Sequence, residues 1–251
     1  MDHLLILLGS GCLVCLMPLA IYLLYLAHLN GRVPPTLVPG PWDFGAVLLG
    51  LSGFLVLAGP LLITLADSAW RGYAYGGWAD LRSVGRQEAM SASLVALGYL
   101  LAVAAGIMYL VRARRPVTAV YNVAAAGTEA TLVEVLDQLG YPWRRANGRV
   151  EISPTRVTDP AAPPAPFPAH EAAAVKVDAF PATGHATLRW SGPAEGVRAE
   201  VEAALPAALA VYAGGKNPVA GWLFTAAVSV LVVMLLWLVV LIYIVMTPPK
   251  G

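Results

Sequence analysis

Cys12-Leu13-Val14-Cys15 has the Cys-x-x-Cys spacing of a redox dithiol. Such a site works through an exposed thiolate of lowered pKa, usually at a helix N-terminus beside a strand. These two cysteines instead sit inside an apolar run that extends from Leu4 to Leu29. Low dielectric there disfavours the thiolate, so the pair is expected to be structural. The histidines are the next candidates. A haem between membrane helices needs two of them at matching depth. His3 and His28 fall at opposite ends of the same run, so they cannot share one. His170 and His185 lie in the polar part of the chain without metal-ligand spacing, and a solvated or structural role is expected for both.

Asp43 and Asp67 bracket the second apolar stretch. A proton or ion path normally leaves ionisable groups within the spans. None of the four apolar stretches carries Asp, Glu, Lys, Arg or His in its core. Asp43 is expected as a helix N-cap instead. Gly9-Ser10-Gly11 lacks the lysine that follows in a phosphate-binding loop. The expectation is therefore no catalytic, cofactor-binding or metal site.

The elements that position these residues are four stretches long enough to cross a bilayer, where a helix needs roughly 20 apolar residues. They run over about 4–27, 44–66, 89–111 and 219–246. The chain is 58% hydrophobic and only 12% charged, about half the charge of an average soluble domain. Its mean hydropathy is +0.68. A net charge of +1 gives no reason to expect nucleic acid or an acidic substrate. Two cysteines, both in one span, exclude a disulfide-stapled secreted fold. The start, Met-Asp-His, is not basic, and the run behind it is longer than the about 7–15 residues of a signal-peptide core. It reads as a retained span.

Within the spans, small residues mark where backbones can approach. Gly98, Ala102 and Gly106 recur every four residues on one face of the third, and Gly50 and Gly53 interrupt the second. Pro18 should kink the first. Aromatic and basic residues mark the surface: Trp42, Trp70 and Trp78 at headgroup depth, and Arg112, Arg114 and Arg115 just past the third span. A dense basic cluster beside a span belongs on the cytoplasmic side. The polar insert, with Arg32 and Lys216, should therefore be cytoplasmic and both termini opposite. Positions 36 and 185 should then be reachable from the same side.

The insert between the third and fourth spans reads as a small α+β unit. Val117–Val123 alternates as a strand does. Leu132, Val135, Leu136 and Leu139 give a helical stripe that begins near Thr128 and stops at Gly140. Asn147-Gly148 is a two-residue hairpin signal. After a Pro-rich loop at 153–170, two further strands near 175–180 and 186–190 precede a helix carrying Val197, Val201, Ala204 and Leu205. The hairpin arginines Arg144, Arg145 and Arg149 read as solvated charge, with anionic lipid as the alternative contact. The expected fold is a membrane four-helix bundle, all-α, with a soluble α+β domain of antiparallel sheet and two helices inserted before the last span. The expected limits are 1–112, 113–216 and 217–251.

Pro39-Gly-Pro-Trp-Asp-Phe-Gly and the run Leu-Ser-Gly-Phe-Leu-Val-Leu-Ala-Gly-Pro ending at Pro60 resemble segments of uncharacterised bacterial multi-pass membrane proteins. The resemblance covers about a tenth of the chain and implies a bacterial inner membrane. It brings no activity and no functional residues. The functional expectation is a non-enzymatic subunit or scaffold, in contact with lipid and with a protein partner or a second copy. The alternative is a small transporter or channel with a cytoplasmic regulatory domain.

Overall fold

The structure, a computed structural model, describes residues 2–32, 34–75, 86–123, 127–156, 172–211 and 217–246. Trp78, His170, Lys216 and most of the Pro-rich loop lie outside the described residues. So do the side chains of Cys12, His3 and Trp70.

Six helices and six strands occur among the described residues. In chain order they are α1 (Asp2–Gly31), β1 (Thr36–Pro39), α2 (Gly40–Tyr75), α3 (Arg86–Ala113), β2 (Val117–Tyr121), α4 (Thr128–Leu139), β3 (Trp143–Ala146), β4 (Arg149–Ile152), β5 (Ala173–Phe180), β6 (His185–Ser191), α5 (Glu195–Val211) and α6 (Pro218–Met246). Four of the helices are long and apolar enough to cross a membrane, at Leu13–Gly31, Gly40–Leu57, Leu94–Ala113 and Pro218–Ile244. Pro18 lies inside α1.

The chain divides into two compact units. The first comprises 1–23, 46–112 and 226–251; the second comprises 24–45 and 113–225. The second unit is therefore larger than the insert. It takes in the end of α1, the connection to α2 and the first turns of α6.

The reason is β1. The turn-rich connection after α1 contains Thr36-Leu-Val-Pro39, which pairs antiparallel with β2, Thr36 opposite Tyr121 and Pro39 opposite Thr118. The sheet order is β1-β2-β6-β5-β4-β3, with every pairing antiparallel. Pro39 can close this strand because β1 is an edge strand, where a missing N–H is tolerated. Thr36 pairs with Tyr121 and Tyr121 with His185. Positions 36 and 185 thus share one sheet.

Each face of this sheet has its own core. On one face, α4 and α5 press Leu132, Val135, Leu136, Val201, Leu205 and Leu209 against Val120, Ile152, Val175 and Leu188, all fully buried or nearly so. Gly140 ends α4 in the left-handed conformation at φ 75°. The Asn147-Gly148 turn has both residues at positive φ (53° and 68°), as a type I′ hairpin requires. On the other face, Leu29 of α1 and Val38 of β1 cover Ala119 and Tyr121, with Tyr25 and Leu26 beside them. β2 is consequently buried along its whole length.

Candidate functional site

Within the second unit, the ends of the long apolar helices meet the sheet through side chains that no local pattern connects. α2 starts at Gly40, directly after β1, so Asp43 is a first-turn residue and not the N-cap expected for it. Its carboxylate accepts a hydrogen bond from the Tyr121 hydroxyl. Asn122, in the left-handed region at φ 57°, donates to the Arg32 carbonyl just past the end of α1. Asn217, immediately before α6, donates to the Asn30 side-chain oxygen at 3.1 Å and to the Thr183 carbonyl at 3.0 Å. Its own side-chain oxygen accepts from the Val219 N–H at 3.0 Å, capping α6. Asn30 is buried here.

The entry from α3 is fastened separately. Arg198 of α5 donates to the Arg115 carbonyl at 2.6 Å, to the Thr118 hydroxyl at 3.0 Å and to Glu202 at 2.7 Å, while Thr118 also donates to Glu202. Gly40 lies so close to the Arg114 and Val117 carbonyls that a side chain there would overlap both. The Arg114 guanidinium sits over the Phe44 ring, 5.3 Å from its centre. Four helix ends are thus tied to one sheet by hydrogen bonds, some half-buried and some exposed.

His185 belongs to this collar. Its ring lies between Tyr121, 4.8 Å away, and Phe180, 5.6 Å away and nearly parallel. All three project from one face of β2, β6 and β5, since Tyr121 pairs with His185 and His185 with Phe180. Nε2 is buried and has no hydrogen-bond partner. Burial holds the imidazole pKa below its ordinary value, and the Asp43 carboxylate pulls it part of the way back. Asp43 and His185 are 142 positions apart in the chain. The sheet brings them to the two sides of one tyrosine.

The other expected residues are placed as follows. Gly50 and Gly53 of α2 pack against α1: a side chain on Gly50 would overlap the Tyr22 ring, and one on Gly53 the Val14 and Cys15 backbone. The face of α3 that carries Gly98, Ala102 and Gly106 has a different setting. Ala102 is exposed, and among the described residues a side chain on Gly98 or Gly106 would meet nothing within 4 Å. Arg112, Arg114 and Arg115 are exposed, and Trp42 is 75% exposed. The hairpin arginines divide between the two faces of the sheet. Arg145 pairs with Glu129 of α4 at 3.0 Å, and Arg144 pairs across the other face with Glu151 at 2.7 Å. Cys15 is half-buried in α1 and forms no disulfide. His28 accepts from Arg32 at 2.9 Å. Among the described residues, no three His, Cys, Asp or Glu side chains gather as a metal set.

Comparison with protein-family models, with curated proteins and with solved structures finds no match to this chain.

Proposed function

We propose that this protein is a non-enzymatic integral membrane subunit or scaffold. In this reading the exposed faces of its long apolar helices receive another chain. One observation carries it. In α3 no residue of Leu94–Ala113 is buried, and in α6 Ala227 is the one buried residue of Pro218–Ile244. Apolar side chains alone are satisfied by lipid. A face of Gly98, Ala102 and Gly106 offers lipid little contact area but lets a second helix approach closely, which is how small residues drive association in membranes. A completed four-helix or larger bundle would then form with the partner present.

The transporter or channel alternative draws no support from the level of Gly53 to Gly59. There Gly53 meets the α1 backbone, Gly59 meets the Tyr99 ring, and the Tyr99 hydroxyl donates to the Leu55 carbonyl at 2.8 Å. This is close packing where a water path would need space.

The basic run at 112–115 supports a cytoplasmic soluble domain, and an inner membrane as its setting. Nothing in the charge balance calls for nucleic acid. The test is native mass spectrometry of the chain extracted in mild detergent. Co-purifying chains or a defined oligomer are expected. A monomer at every detergent concentration, with no second chain, would overturn the proposal.

A further inference from the structure

We infer that the Asp43–Tyr121–His185–Phe180 row is a pH-responsive clasp, in which protonation of His185 loosens the attachment of α2 to the end of the sheet. The geometry is specific. The imidazole is held between two aromatic rings, and its Nε2 is enclosed without an acceptor. A neutral ring with its lone pair at Nε2 fits that enclosure at small cost. A protonated ring puts an N–H and a positive charge where nothing receives them.

The ionisable groups on the elements packed around the row are few. Asp43 on α2 is engaged by Tyr121. Asp178 on β5, two residues from Phe180, is held by Lys176 at 2.7 Å and Arg189 at 3.1 Å. Tyr25, His28 and Arg32 stand at the end of α1, His28 accepting from Arg32, and Arg114 lies over Phe44 of α2. Asp43 is therefore the carboxylate that a charged His185 would recruit, and doing so draws it from the Tyr121 hydroxyl. The clasp then exchanges one hydrogen bond for another only by moving the first turn of α2 or the ring stack.

The sign follows from burial. The folded-state pKa lies below the unfolded value of about 6.5. Between the two values the loosened state binds more protons. The clasp is therefore fully formed above about pH 6.5 and weakens as pH falls through the folded-state pKa.

The test uses the whole chain in lipid nanodiscs. Hydrogen exchange of residues 179–187 is followed from pH 7.5 to pH 5.0 and corrected for the intrinsic pH dependence of exchange. A severalfold loss of protection is expected as His185 takes up its proton. In His185→Phe the loss should vanish while protection at pH 7.5 remains. In Asp43→Asn the midpoint should move to lower pH, because the charge that raises the imidazole pKa is gone. Unchanged protection of the natural protein across the range would overturn the inference, as would an equal loss in His185→Phe. Should His185→Phe fail to fold, the direction of the Asp43→Asn midpoint decides: downward supports the clasp, unmoved or upward overturns it.

Discussion

Two membrane helices carry small residues on one face, and the structure treats them in opposite ways. On α2, Gly50 and Gly53 are closed in by Tyr22 and by the backbone at Val14 and Cys15. On α3, Gly98 and Gly106 have no neighbour within 4 Å of an added side chain among the described residues. The residue type is the same and the helical spacing is similar. A small-residue face therefore tells which side of a helix permits close approach, and not whether this chain supplies what approaches. On α2 the neighbour is α1 of the same chain. On α3 no described residue of this chain supplies it.

That contrast can be broken by substitution. Gly53→Val places a branched side chain into the backbone of α1. It should destabilise the fold by about 3 kcal/mol, at the upper end of overpacking costs, or abolish recovery of folded protein; thermal unfolding in detergent measures it. Gly40→Ala overlaps two backbone carbonyls in the second unit and should cost about 2 kcal/mol, read from the same transition. Tyr99→Phe keeps the ring against Gly59 but removes the bond to the Leu55 carbonyl. About 1 kcal/mol should be lost. The pair Gly98→Leu and Gly106→Leu should change the stability of a single chain by less than about 0.5 kcal/mol. If the outward face of α3 receives a partner, the same pair should reduce the co-purifying chain or oligomer severalfold. A large stability loss from this pair would erase the contrast between α2 and α3. No effect on assembly would place the α3 face against lipid.

The α+β region shows how far pattern reading reaches. α4 and its stop at Gly140, the Asn147-Gly148 hairpin, the paired strands β5 and β6 and the stripe of α5 were all legible, because each is specified by neighbours within a few residues. β1 was not. Thr-Leu-Val-Pro is too short to announce itself, and it is a strand only because Val117–Tyr121, about 80 positions later, offers an edge. The collar was hidden for the same reason. Asn30 and Asn217 are 187 positions apart, and Asp43, Tyr121 and His185 read as a cap, a strand residue and a solvated side chain when taken one by one. The division of Arg145 from Arg144 follows from strand alternation, but which side carries α4 is a matter of packing.

Composition and periodicity by themselves determined that four helices can cross a membrane and that a folded α+β segment interrupts them. Both follow from local physics: the apolar length a bilayer demands, the 3.6- and 2-residue repeats, and the backbone needs of Gly and Pro. Tertiary structure alone decided which small-residue face is filled. It also decided that the connection after α1 joins the sheet, and that an acid, a phenol and an imidazole meet at one end of it. Those outcomes depend on loop closure between distant segments, whose free energy is settled by the packing of the whole unit and leaves no mark on any short stretch of chain.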